Sequence, residues 1–260
     1  MNDIITSLQN PQVKNWRALN KGRSQRVSQG LFLAEGEHMA QGAVKEKKAR
    51  ALLIDAAARE KYDALAQAAQ GVSIYYLASH VMEAICDAKT PQGVAAVCGY
   101  PSDQVISNPG DLLVALDGVQ DPGNVGTIIR TMDAAGFHSL IMDEKTADPY
   151  SPKALRASMG GVFRIPCYRT ADLPGALSSL SKEGYQIIAG DLHGAPFFQR
   201  PKAGKKACII IGNEGAGVSP AVMAMATMRL KLPMVGGAES LNAAVAGAIM
   251  MYDLLRERMD

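Results

Sequence analysis

The sequence predicts an α/β protein in two parts: a small N-terminal α/β domain, then a larger C-terminal three-layer α/β domain built on a mostly parallel sheet. Three observations predict it. Short apolar runs alternate with helical patterns along the whole chain. Beyond residue 110 these runs become continuous rather than alternating, the pattern of strands buried on both faces. Between the two halves, YPSDQVISNPG (residues 100–110) is rich in Pro, Ser, Asn and Gly and poor in apolar side chains, which marks a linker.

In the first half, Pro11 follows a capping Asn10 and opens a helix over residues 11–20. Leu31 to Ala34 reads as a short buried strand, and Glu35-Gly36-Glu37-His38 leads into a second helix. Strands follow at Ala51 to Ile54, Ser73 to Leu77 and Gly93 to Cys98, with helices at Ala58 to Ala69 and Ser79 to Ile85 between them. In the second half, strands are expected at Leu112 to Leu116, Ser139 to Met142, Val162 to Cys167, Tyr185 to Ala189, Cys208 to Ile211 and Arg229 to Leu232. The clearest helices are Asn124 to Ala135, Leu173 to Ser181 and Leu241 to Arg256.

Composition excludes several classes. With 260 residues, 48% of them hydrophobic and 20% charged, the chain has the profile of an ordinary soluble globular protein. A net charge of +2 is too small to diagnose a nucleic-acid binder. Its distribution says more: Lys14, Arg17, Lys21, Arg23 and Arg26 fall within residues 14–26 with no acid among them. Such a run is either a solvated helix face or a phosphate-contacting patch. Cys86, Cys98, Cys167 and Cys208 are widely spaced without a C-x-x-C pair, so no metal site and no disulfide framework is expected. The opening MNDIITSLQNPQ has no apolar leader, and Ala243 to Tyr252 is too short to span a bilayer. A cytoplasmic protein with reduced thiols and no membrane contact is the expectation.

Three stretches carry chemistry. In LDGVQDPGNVGTIIRTMDAAGF (116–137) a strand ends, and Asp121 with Pro122 opens a helix bearing Asn124 and Arg130. Its glycines do not fit G-x-G-x-x-G. In IGNEGAGVS (211–219), Gly212 and Gly217 have Walker A spacing, but Val218-Ser219 stands where Lys-Ser/Thr would be required, which disfavours a triphosphate. In the third, Leu232-Pro233-Met234 ends a strand and frees carbonyls for a ligand amine, and Glu239-Ser240-Leu241-Asn242 opens the last helix with Ser240 as expected cap. Each stretch alone is also compatible with ordinary turn and capping chemistry, and capping is the more frequent use of Ser and Asn at a helix start.

Together they resemble the SpoU (TrmH-type) family of RNA ribose 2′-O-methyltransferases within the SPOUT superfamily. Asn124-Val125-Gly126-Thr127-Ile128-Ile129-Arg130, Gly212-Asn213-Glu214-Gly215, and Leu232-Pro233-Met234 through Ser240-Leu241-Asn242 match its three motifs in order. Phe32-Leu33-Ala34-Glu35-Gly36 similarly resembles the ribosomal-protein-like substrate-binding domain that often precedes this catalytic domain. The resemblance implies an RNA substrate-binding domain over 1–103, a linker at 104–110 and a catalytic domain over 111–260 with a deep trefoil knot. It implies S-adenosyl-L-methionine as cofactor, held by Gly212, Leu232 and Leu241 with Ile211, Met234 and Gly194. It assigns catalysis to Arg130, Asn124, Glu214, Ser240 and Asn242, on structured ribosomal or transfer RNA gripped by Lys14, Arg17, Lys21, Arg23 and Arg26. A homodimer is implied too, with the small-residue face Ala243, Ala244, Gly247 and Ala248 suited to close packing and Arg130 able to act across the interface. Two other readings compete: a catalytically silent RNA-binding module, and a small-molecule enzyme with a nucleotide cofactor.

Overall fold

The computed structural model describes residues 3–101, 106 and 109–259. Of the expected linker, residues 104, 105, 107 and 108 lie outside the described residues. The chain divides into two compact units, Met1–Ser102 with Tyr150–Arg164, and Asp103–Pro149 with Ile165–Asp260.

The first unit is a four-stranded sheet flanked by short helices. Strands β1 (Leu31–Glu35), β2 (Ala49–Asp55), β3 (Ser73–Leu77) and β4 (Val94–Gly99) lie in the order β1-β4-β2-β3. β4 runs antiparallel to both neighbours, and β2 and β3 are parallel. Asn10 caps α1 (Pro11–Leu19), its side chain accepting the Gln12 N–H at 2.8 Å. Val13, Trp16 and Leu19 on α1, with Val81, Met82 and Ile85 on α5 (Ser79–Ile85), join Leu33, Leu53, Leu77, Ala95 and Val97 in one core cluster. Each such aliphatic side chain contributes roughly 1.5–3 kcal/mol by leaving water.

Three expectations are corrected here. The basic stretch contains a separate helix, α2 (Arg23–Gln29), before β1, and the expected helix, α3 (Glu37–Lys45), comes after it. The helix expected at Ala58 to Ala69 breaks into 3-10 turns at Ala56–Ala58 and Glu60–Tyr62 and a short α4 (Asp63–Ala68), because only Tyr62 and Ala69 there are buried and no apolar stripe sustains a longer helix. No strand runs from Val162 to Cys167. Gly161–Phe163 is a 3-10 turn, and the strand (β7) is Cys167–Arg169. The cause lies in packing: Tyr150 packs tilted against Phe32 at 4.8 Å, Phe163 stacks on it at 6.3 Å, and Arg156 pairs with Asp87 at 2.9 Å. These contacts, with α7 (Pro152–Ser158), place residues 150–164 in the first unit.

The second unit carries β5 (Leu112–Asp117), β6 (Ser139–Met142), β7, β8 (Gln186–Pro196), β9 (Ala207–Gly212) and β10 (Met228–Lys231). They form one sheet in the order β10-β8-β9-β5-β6-β7, and every pairing is parallel. β5 is buried along its whole length, as its continuous apolar run predicts. Helices α6 (Pro122–Ala135), α8 (Leu173–Lys182), α9 (Pro220–Met223) and α10 (Ala243–Met259) cover it, and α10 packs on α6 and β9. One irregularity matters for the site. β10 pairs Arg229 with Ala189 but Leu230 with Ala195, so residues 190–194 leave the ladder as a five-residue excursion.

Among the described residues, no helix is long and apolar enough to cross a membrane, and no group of three or more His, Cys, Asp or Glu is placed to hold a metal ion. None of the four cysteines is in a disulfide, and burial pushes the Cys98 and Cys208 thiols up to about 12.

Candidate active site

The site forms where β5, β8, β9 and β10 end on the same side of a parallel sheet, the usual place for a ligand in an α/β fold. β9 ends at Gly212, where a Cβ would fall on the backbone of Gly217 and Val218. No other residue fits that close approach. The chain then folds back on itself, with Asn213 and Gly217 exchanging two backbone hydrogen bonds of 2.9 Å.

Asn213 fixes this loop from within. Its Oδ1 accepts the N–H groups of Gly215 and Ala216, both at 2.9 Å, and its Nδ2 donates to the Gly118 carbonyl at 2.8 Å. Gly118 is held from its other side, donating to Asp143 Oδ1 at 3.0 Å. Asp117 Oδ2 accepts the Ser219 N–H at 2.6 Å. Sequence reasoning missed Asn213, Asp117 and Asp143. A polar residue at the very end of an apolar strand is the one signal that could have flagged Asp117 and Asp143.

With the loop so fixed, Glu214 reaches the start of α6. Its carboxylate accepts from the backbone of Gln120 and Asp121, each at 3.1 Å, and from Asn124 Nδ2 at 3.0 Å. Asn124 in turn accepts from Asn242 Nδ2 at 2.9 Å. Glu214, Asn124 and Asn242, separated by up to 118 positions, thus form one hydrogen-bonded chain. Asn242 Oδ1 also accepts the Ala244 and Val245 N–H groups. This corrects the expected cap: Asn242 rather than Ser240 caps α10, because the helix begins at Ala243 and the first free N–H groups point at residue 242.

Burial alone raises the Glu214 carboxyl, but the Asn124 amide and the Gln120 and Asp121 N–H groups outweigh it and hold the group below its ordinary value of 4.5. A depressed carboxyl stabilises the fold above its unfolded pKa and loses that contribution as pH falls through the lower folded value. The thermal stability gap between wild type and Glu214→Gln is therefore expected to be constant near neutrality and to close below pH 4.5. Denaturation curves over about pH 3–7 measure it, and a gap that persists through the acid range contradicts the assignment.

A cavity of about 330 Å³ opens between this loop, the 190–194 excursion and the segment before α10. Ile211, Gly212, Leu232, Met234 and Leu241 line it, together with Glu214 and Ser240. Gly194 does not. A Cβ there would strike the backbone of Arg229 and Leu230, so this glycine lets the excursion rejoin β10 while Gly190, Asp191 and Leu192 face the cavity. Arg130 is exposed on α6, has no hydrogen bond or ion pair among the described residues, and is not part of the cavity wall of its own chain.

The small-residue face of α10 is corrected in part, since Ala243 and Ala248 are half-buried and still reach the surface. Ala244 and Gly247 are buried inside the unit, where a Cβ at Gly247 would collide with Ile211. The large apolar side chains that α10 exposes are Val245 (48%), Tyr252 (50%) and, in its last turn, Met259 (79%). In the first unit, Lys14, Arg17 and Lys21 are exposed and Arg23 is half-buried. Arg26 leaves the proposed phosphate-binding set, because it is buried and its Nη1 donates to the Leu19 carbonyl at 2.6 Å.

Residues 111–252 match the SpoU rRNA Methylase family, and residues 10–96 match the MRM3-like substrate binding domain. Over 251 residues, 96% of this chain and 98% of the relative, the sequence is 37% identical to the 23S rRNA (guanosine(2553)-2′-O)-methyltransferase RlmP of Bacillus subtilis (strain 168). The structure is similar to that of the SpoU methyltransferase AviRb from Streptomyces viridochromogenes in complex with the cofactor AdoMet, with a TM-score of 0.87, 30% identity, and 97% and 99% of the two chains covered. It is also similar to an AdoMet-bound rRNA methyltransferase from Sinorhizobium meliloti, with a TM-score of 0.84, 32% identity, and 98% and 97% covered.

Proposed function

The chain belongs to the SpoU rRNA methylase family, and from that premise we propose that it methylates a guanosine ribose of large-subunit ribosomal RNA. It is an S-adenosylmethionine-dependent RNA ribose 2′-O-methyltransferase. The observation that carries the narrower substrate is coverage. The likeness to the 23S enzyme of Bacillus subtilis extends over 96% of this chain, the half that would choose the RNA included. Mapping ribose methylation in cellular RNA with and without this protein tests it. Loss of one 23S guanosine methyl group is expected, and loss from transfer RNA alone would overturn the substrate.

The cavity fits the cofactor on its own terms. Leu232, Met234 and Leu241 offer apolar walls to an adenine ring, and Gly212 leaves the backbone open to close approach. Bound there, S-adenosylmethionine would supply an electrophilic methyl group to a ribose 2′-oxygen. The residues of this chain do the positioning. Glu214 and Asn242 hold Asn124 between them at the start of α6, and Ser240 lies on the cavity wall where a ribose hydroxyl would approach. Arg130 binds the adjacent phosphate and stabilises the charge developing on the alkoxide. A guanidinium stays protonated near neutrality, so it serves as an electrostatic group rather than as a base.

A homodimer completes this site, with the partner subunit's Arg130 reaching the cavity. Its support is the position of Arg130 outside its own cavity wall, together with exposed Val245 and Tyr252 on α10, the helix packed against α6. A deep trefoil knot fits the path of the chain, which leaves edge strand β10 and returns past β8 to pack α10 on β9 and α6. The site of action is the cytoplasm, where ribosomal RNA is found in bacteria such as those that supply the relatives.

Lys14, Arg17, Lys21 and Arg23 contact RNA phosphates. Three to four such contacts predict a log–log salt dependence of RNA affinity with a slope of about −3. Filter binding over a salt series measures it, and an affinity independent of salt would remove the patch from the account.

A further inference from the structure

Among the described residues, three carboxylates line the cavity, Asp191, Glu214 and Glu239, and no lysine, arginine or histidine does. Taking the cavity as the S-adenosylmethionine site, as read above, we infer that Asp191 and Glu239 make it discriminate between the methyl donor and the by-product of transfer. The donor carries a sulfonium, an ammonium and a carboxylate, for a net charge of about +1 near neutral pH. After transfer the sulfur is an uncharged thioether, and S-adenosylhomocysteine is neutral overall. An acid-lined pocket therefore holds the reactant more tightly than the product, which favours exchange of one for the other after each turnover.

The three carboxylates are not equivalent. Glu214 already accepts two backbone N–H groups and the Asn124 amide, and these donors offset much of its field. Asp191 is different. Its side chain is only 18% exposed, and its Oδ1 accepts the His193 N–H at 2.9 Å. Nothing among the described residues reaches its other oxygen. The His193 ring nitrogen lies 3.6 Å away on a ring that is 94% exposed, so water screens its effect on Asp191. Glu239 lies exposed on the segment before α10 and has no partner among the described residues. Coulomb attraction falls off gradually, and a ligand confined to this cavity stays within about a Debye length, 8–10 Å, of the carboxylates that line it.

Calorimetry on the full-length protein tests this with three probes: S-adenosylmethionine, S-adenosylhomocysteine and sinefungin, which carries a protonated amine in place of the sulfonium centre and transfers nothing. The two cationic probes are expected to bind the wild type about three- to tenfold more tightly than S-adenosylhomocysteine at low salt, with a gap that narrows as salt rises. Asp191→Asn keeps an acceptor for the His193 N–H. That variant and Glu239→Gln are each expected to weaken the cationic probes about threefold and to leave S-adenosylhomocysteine within about twofold of wild type. Equal loss for all three probes, or a wild type that binds donor and by-product alike, would overturn the inference and leave the cofactor assignment standing. A protein that binds none of the three would remove the cofactor assignment and the inference with it.

Discussion

Replacing Arg130 with alanine is expected to lower the rate of methyl transfer by roughly 10²–10³-fold while S-adenosylmethionine affinity changes by less than about twofold. The split follows from position. Arg130 is exposed on α6 and takes no part in the cavity wall of its own chain. An interaction made with the phosphate and with charge that develops only during reaction affects turnover, not cofactor binding. Arg130→Lys is expected to recover little, since an ammonium cannot reproduce the planar fork that grips a phosphate. Calorimetry alongside single-turnover assays separates the two quantities, and parallel loss of both would contradict the role. Mixing Arg130→Ala chains with chains disabled at Gly212 adds a second readout. If the partner subunit's Arg130 completes each site, mixed dimers regain activity that neither variant has alone.

Gly212→Ala is the second large effect. The new Cβ would meet backbone atoms of Gly217 and Val218, which cannot rotate away as a side chain could, so the 213–217 loop must shift. A cost of about 1–3 kcal/mol follows, with a fall in melting temperature of roughly 2–10 °C. Because Asn213 and Glu214 move with the loop, cofactor affinity is expected to drop at least about tenfold. Gly215→Ala is the control. A Cβ there comes no closer than 3.7 Å to Asn213 Oδ1, and the Gly215 N–H that Asn213 accepts is kept. Equal damage at both positions, measured by thermal melts and calorimetry, would show that the close approach at Gly212 is not what shapes the cavity.

These two residues also mark how far the sequence could be read. The strands of the second unit were legible because β5 and β9 are continuous apolar runs, and no competing helix period fits them. The three chemical stretches were legible as spacings, and the structure brings Glu214, Asn124 and Asn242 into one hydrogen-bonded chain. What spacing could not carry was anything set by a distant backbone atom. Asn213 received no role from its spacing, yet its amide ties the β9 loop to Gly118, 95 positions earlier. Ser240 looked like the better cap, but the cap is decided by where α10 starts, and that places Asn242 against the free N–H groups. Arg26 sits in a run of cations, and only the turn of α2 back onto α1 shows that it is buried on the Leu19 carbonyl. The run at Val162 was apolar enough for a strand, but it is buried in the first unit against Phe32. In each case tertiary packing overrode a local pattern that was itself sound.

The reaction proposed for this chain is transfer of a methyl group from S-adenosylmethionine to the 2′-oxygen of a guanosine in 23S ribosomal RNA. The most direct measurement incubates the purified protein with 23S RNA and S-adenosylmethionine bearing a deuterated methyl group, then digests the RNA to nucleosides for mass analysis. Label is expected in 2′-O-methylguanosine with wild type and is almost completely lost with Arg130→Ala. Label on a base instead of a ribose, or label undiminished in Arg130→Ala, would contradict it.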